Sequence, residues 1–183
     1  MDTENNKQEL KLTLDLPASV NSIYGTNKFG GFYLKKKGKD YKTKMTKYIK
    51  EECKKQGWSK TLDNEFIYMD EIVYFNRKGR DSDNLKKLQQ DCITESESVW
   101  MDDALCLPRT NRIYIDKKNP RIEVVISKAP FVGVFDNQVH FESFREDCIN
   151  CKRYKNNCSI LRELTEGRIR EEVDSNFKCS KCK

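Results

Sequence analysis

The sequence predicts an α+β fold: a small mixed sheet with helices packed on one face, followed by a small zinc-ribbon-like module. Three observations carry that reading. Apolar residues recur at every second position in several short runs and at helical spacing in two longer ones. The runs follow the order β-α-β-α-β-β, which sets the helices against one side of the sheet. Five of the eight cysteines fall between Cys148 and Cys182, beyond the last of those runs.

The first strand covers residues 10 to 16, where Leu10, Leu12, Leu14 and Leu16 alternate with Lys11, Thr13 and Asp15. Pro17 ends it. A glycine-rich loop or floppy hairpin follows, with Phe29, Phe32 and Tyr33 set among Lys28, Lys35, Lys36, Lys37 and Lys39. Aromatics interleaved with lysines can stack on unpaired bases while the cations hold phosphates, or they can pack the loop onto its own domain. From Asp40 to Lys55 the stripe of Tyr41, Met45, Tyr48 and Ile49 predicts a helix, with Gly57 as its cap.

Residues 66 to 76 read as the second strand, and Asn76 to Arg80 as a basic turn. Leu85, Leu88 and Cys92 then mark a helix from Asp83 to about Ile93. Two last strands, about Asn111 to Asp116 and Arg121 to Ser127, flank a KKNP turn and are expected to pair as a hairpin. The expected divisions are a main domain over 1–130, a linker or small hairpin over 131–147, and a cysteine-rich module over 148–183.

Charge narrows the function classes. The net charge is +6, yet residues 28 to 60 alone carry twelve lysines against Asp40, Glu51 and Glu52. Such a patch favours a polyanion, because each neutralised phosphate releases counterions, although a merely solvated surface has the same composition. No run of eighteen apolar residues predicts a membrane span, and the polar N-terminus lacks the apolar core of a secretory signal. The expected location is therefore the cytoplasm, where thiols stay reduced.

The chemistry concentrates between Arg80 and Asp103. Asp81 and Asp83 stand two apart at the start of a helix, and Asp102 and Asp103 follow Trp100. Side chains two apart in extended chain point the same way, so the first pair can converge. Carboxylates gathered in this way need a cation between them, and an all-oxygen set suits magnesium. Aspartates that only cap helices give the same spacing.

LPASVNSIY (16–24), RDSDNLKK (80–87) and VWMDD (99–103), closed by the expected hairpin, resemble the RusA Holliday junction resolvases, small endonucleases often encoded by prophages. The resemblance runs over about residues 10 to 128. Ala18 stands where that family's first motif has a second proline. The resemblance implies Asp81, Asp83 and Asp103 as catalytic, magnesium-binding carboxylates, with Asp102 as the alternative third. It implies Lys87 as the essential lysine and Arg80, Asn84 and Asn21 as DNA contacts; the lysine-rich loop itself adds Lys35, Lys36 and Lys37 as DNA contacts. It also implies a homodimer that nicks a four-way DNA junction symmetrically, inside a bacterial cell, with the gene carried by the host or by a phage. Trp100 reads as the core anchor that positions Asp103.

Cys148, Cys151, Cys158, Cys179 and Cys182 give C-x2-C-x6-C-x20-C-x2-C. Two C-x2-C hooks separated by a spacer predict a structural Zn2+ site using four of the five thiolates. Cys53, Cys92 and Cys106 read as small buried hydrophobes and His140 as solvated. Two functions compete: a magnesium-dependent junction endonuclease, or a zinc-ribbon DNA- or protein-binding adaptor on a non-catalytic scaffold.

Overall fold

The computed structural model describes residues 8–18, 20–62 and 65–182; the side chains of Val20, Asn21 and Asn84 lie outside the described set. The chain divides into two compact units, Met1–Asp63 with Ile67–Lys128, and Asn64–Phe66 with Ala129–Lys183.

Four strands build the sheet of the first unit: β1 (Glu9–Asp15), β4 (Ile67–Phe75), β5 (Cys106–Ile115) and β6 (Arg121–Lys128). Alternation drives each choice. Leu10, Leu12 and Leu14 of β1 are buried, as are Ile122, Val124 and Ile126 of β6, which is the signature of a strand with one face on a core. A second, two-stranded ribbon pairs β2 (Tyr24–Thr26) with β3 (Phe32–Leu34), so the glycine-rich loop is an ordered hairpin. It follows a four-residue helix, α1 (Val20–Ile23).

Two helices complete the core. α2 runs Lys36–Lys55, one turn longer at its start than the apolar stripe predicts, and buries Met45, Ile49 and Cys53. α3 runs Asp83–Glu95 and buries Leu85, Leu88, Cys92 and Ile93. These side chains form one cluster with the inward residues of the strands, plus Trp58, Val99 and Trp100.

The closing hairpin is not formed. The strand order is β1-β6-β4-β5, with β4 lying between β5 and β6. β5 pairs in parallel with β4, while β6 runs antiparallel to both β1 and β4. The KKNP turn instead crosses the end of β4, braced by Asp116 Oδ1, which accepts from the backbone N–H of Lys118 and Asn119 at 3.1 and 3.0 Å. Burial explains the order. β4 alternates buried and half-buried residues along its whole length and suits the centre, whereas β5 is exposed from Asn111 to Ile115 and suits an edge.

The regular elements of the second unit are helical, and among its described residues there are isolated bridges but no strand, so the expected ribbon is not shown. Residues 131–137 make a tight turn closed by a bridge between Val132 and Phe135. Asn137 then caps α4 (Gln138–Asn150), its Oδ1 accepting from the His140 N–H at 2.9 Å. α5 (Ile160–Thr165) follows, and Phe135, Phe144, Cys148 and Leu164 form a small core. No helix among the described residues is long and apolar enough to cross a membrane.

Candidate active site

The loop after β4 delivers Arg80 and Asp81 to the start of α3. Asp81 Oδ1 accepts from the Asp83 N–H at 2.9 Å, an Asx turn that starts the helix. Asp83 is exposed at the first position of α3, and its Oδ1 takes the Lys86 ammonium at 2.7 Å. Asp103 opens a 3-10 turn, Asp103–Leu105, which packs against α3. Asp102 caps that turn, its Oδ1 accepting from the Ala104 N–H at 2.9 Å. Behind it Trp100 is buried and donates from Nε1 to Thr94 Oγ1 at 2.8 Å, which anchors the turn to the end of α3.

A residue missed in the sequence lies beneath this group. Glu71 stands on the core face of β4 at 1% exposure. Among the described residues its Oε2 has only a long 3.5 Å bond from Thr110 Oγ1, and its Oε1 has no partner. The β4–β5 register shifts between Glu71 and Ile72, an irregularity of the kind that re-aims side chains beside sites. Burial raises the Glu71 carboxyl from the ordinary range to about 7; Lys86 and Thr110 pull it down, and Asp83 pushes it further up. Burial raises the Cys106 thiol to about 11, and the carboxylates of both Glu71 and Asp103 add to that rise. Glu71 of β4 is therefore within electrostatic reach of Asp83 of α3, and Cys106 within reach of both Glu71 and Asp103. The sequence carried a signal for Glu71: it is in phase with Ile67, Met69, Val73 and Phe75, where another apolar residue belongs.

Lysine roles also divide. Lys86 is 25% exposed and bonded to Asp83, whereas Lys87 is 81% exposed and reaches Asp91 at 3.8 Å. Lys87 is thus the cation presented to solvent. Arg80 points inward, donating from Nη2 to the Pro17 carbonyl at 3.1 Å with its guanidinium 5.3 Å from the Phe75 ring centre. It ties the first motif to the acidic loop. Lys36 and Lys37 are exposed in the first turn of α2 and Lys35 stands just before it. Asn21 and Asn84 lie outside the described side chains.

Among the described residues, no group of three or more histidine, cysteine, aspartate or glutamate side chains stands close enough to hold a metal ion. The expected convergence of Asp81, Asp83 and Asp103 on one point is therefore not present as such. Like charges repel, and each of the carboxylates Asp81, Asp83 and Asp102 has taken a local donor instead. Donor chemistry still fits a hard divalent cation: the set is all oxygen, and the buried Glu71 Oε1 beside it is orphaned.

In the second unit, all five clustered cysteines line one small cavity with Phe144 and Ile160. Burial, then the neighbouring thiols of Cys179, Cys158, Cys151 and Cys182, push the Cys148 thiol up to about 12. No cysteine is in a disulfide.

The family model for the endodeoxyribonuclease RusA matches residues 16–127, more than half of the chain and nearly all of the first unit. The match contains the three motifs and stops short of the cysteine-lined cavity. No curated protein sequence matches the chain.

Proposed function

This chain belongs to the RusA endodeoxyribonuclease family, and from that premise we propose that it is a magnesium-dependent, structure-selective nuclease that resolves four-way DNA junctions during recombination and repair. The observation that carries the reading is a concentration of carboxylates on neighbouring elements: Glu71, buried on β4 within electrostatic reach of Asp83 on α3, and Asp103 on a 3-10 turn packed against α3. A protein that only binds DNA gains nothing from this cluster, since it repels phosphates.

Asp81, Asp83 and Asp103 would hold Mg2+, which when bound neutralises charge on the scissile phosphate and acidifies a bound water. The chain's own residues set up that chemistry. Asp81 accepts from the Asp83 N–H, which fixes its carboxylate at the start of α3, and Asp102 accepts from the Ala104 N–H, which closes the turn that carries Asp103. Lys86 holds the Asp83 carboxylate in place, and Trp100 fixes the turn that carries Asp103. Lys87 projects one helical turn past Asp83 and meets the DNA phosphate as its charge grows. Two copies related by a two-fold axis match a two-fold substrate and supply one nick each. The family that implies this substrate also implies the cytoplasm of a bacterial cell, with the gene carried by the host or by a phage.

The test is incubation of the purified chain with a labelled four-way junction and a matched linear duplex, in Mg2+ or EDTA. Paired nicks confined to the junction, lost in EDTA and in Asp81→Asn with junction binding retained, are expected. Equal cutting of both substrates would refute junction selectivity; no cutting at all would refute the nuclease.

For the second unit we propose a structural Zn2+ bound by four of Cys148, Cys151, Cys158, Cys179 and Cys182. Support comes from the shared cavity and from the two hooks, each closed by a backbone bond: Cys151 N–H to the Cys148 carbonyl at 3.0 Å, and Cys182 N–H to the Cys179 carbonyl at 3.2 Å. One zinc per chain by elemental analysis, lost in Cys148→Ser, is the expected result; metal-free protein that folds normally would overturn it.

A further inference from the structure

The β2–β3 hairpin holds its aromatic rings out to solvent. Phe29 is 96% exposed, Phe32 80% and Tyr33 51%. Large apolar side chains gain most from burial, so a chain that has a core available and leaves two phenyl rings outside it forgoes that gain.

The tip that carries them is built, not loose. Asn27 donates its N–H to the Gly31 carbonyl at 2.8 Å and accepts at its own carbonyl from Gly30 at 3.1 Å. Its side-chain Oδ1 accepts two further backbone N–H groups, Phe29 at 2.9 Å and Gly31 at 2.8 Å. Gly30 supplies the left-handed turn at φ +79°. Across the pair, the Tyr33 ring lies so close to Gly25 that a Cβ there would come within 2.7 Å of it. At the base, Lys35 N–H bonds the Ile23 carbonyl at 2.7 Å, and Leu34 seats on Gly38 of α2.

Where β3 ends, a groove begins. Leu34 lines a space of about 690 Å3 with Lys39, Lys42, Lys47 and Lys50, and Lys42 is paired there with Glu95. The exposed rings thus stand on a hairpin whose last residue, Leu34, lines a lysine-rich groove. Unpaired bases stack on aromatic faces whatever their identity, and cationic grooves follow the backbone.

We propose that this hairpin reads the branch point of the DNA: Phe29 and Phe32 stack on bases left without a neighbour where arms meet, and the α2 groove holds the phosphates of the adjoining arm. The inference rests on the nuclease reading and adds to it the feature by which the substrate is told from plain duplex. A continuous duplex offers no free base face, so the rings discriminate while the lysines only attract.

The test uses the full-length chain in EDTA, a four-way junction with 2-aminopurine beside the branch, and a matched linear duplex. Wild type should raise the 2-aminopurine emission on the junction. The Phe29→Ala/Phe32→Ala variant should lose most of that rise and bind the junction about tenfold more weakly or worse, with duplex binding changed less than about twofold. Lys47→Gln/Lys50→Gln should weaken both DNAs alike and flatten the salt dependence. Because both rings are exposed, the double variant should melt with wild type, as read by tryptophan emission. Wild-type emission rise and affinity in the phenylalanine variant would overturn the proposal, as would equal losses on junction and duplex. Failure of the wild type itself to prefer the junction would instead bring down the junction reading, and this inference with it.

Discussion

Glu71→Gln is the sharpest single perturbation the structure offers. Glutamine keeps the shape and removes the charge at a position 1% exposed, one of whose oxygens has no partner. Burial lifts the carboxyl from 4.5 to about 7. In acid, the folded and unfolded chains both hold the proton and the site costs nothing extra. As pH rises through about 4.5 the unfolded chain releases the proton while the folded chain keeps it, so stability falls until the folded carboxyl also ionises near 7. At about 1.4 kcal/mol for each pH unit of that window, the loss is about 3 kcal/mol. Glu71→Gln should therefore match wild type near pH 4.5 and exceed it by about 3 kcal/mol at pH 8. Urea unfolding followed by tryptophan emission measures this directly. The chain's two tryptophans, Trp58 and Trp100, are both buried in the first unit and report on it alone. A difference between variant and wild type that is the same at both pH values would refute the reasoning, because it would mean that Glu71 is not a buried acid. The gain in stability should come with reduced cleavage, the usual trade where a costly charge serves a site.

Other outcomes follow from the same geometry. Lys87→Met should abolish cleavage yet change urea stability by less than about 0.5 kcal/mol, since its ion pair with Asp91 is exposed and 3.8 Å long. Trp100→Ala should cost about 3–5 kcal/mol in the same unfolding assay, through the lost ring and the orphaned Thr94 bond. Gly133→Ala should unfold the second unit, because its φ is +55° and a Cβ would stand 2.0 Å from the Leu164 carbonyl oxygen; proteolysis should then remove residues 129–183 and spare the first unit. A strong zinc chelator should likewise expose the second unit to protease while leaving tryptophan emission unchanged.

Much of this molecule was legible one residue at a time. Alternating leucines gave β1, the stripe of Met45 and Ile49 gave α2, and D-x-D-N with W-x-D-D marked the acidic site. Local preferences of this kind depend only on neighbours along the chain: period two or period 3.6, a proline stop, a capping aspartate. The two C-x2-C hooks were equally visible, though not the helical unit that carries them.

What the chain could not declare was anything that depends on partners distant in sequence. Two strands joined by a short turn look like a hairpin, but β4 lies between them because it has residues to bury along its whole length, whereas β5 is exposed from Asn111 to Ile115. Glu71 reads as one charge among many until the sheet turns it inward beneath α3, where burial makes it costly. Lys86 and Lys87 are interchangeable as letters; helix phase sets one against Asp83 and leaves the other to solvent. Arg80, a DNA contact by resemblance, is claimed by Pro17, a residue far earlier in the chain. Secondary structure is a near-neighbour property and was readable; burial, pairing and charge environment belong to the packed chain, and only folding assigns them.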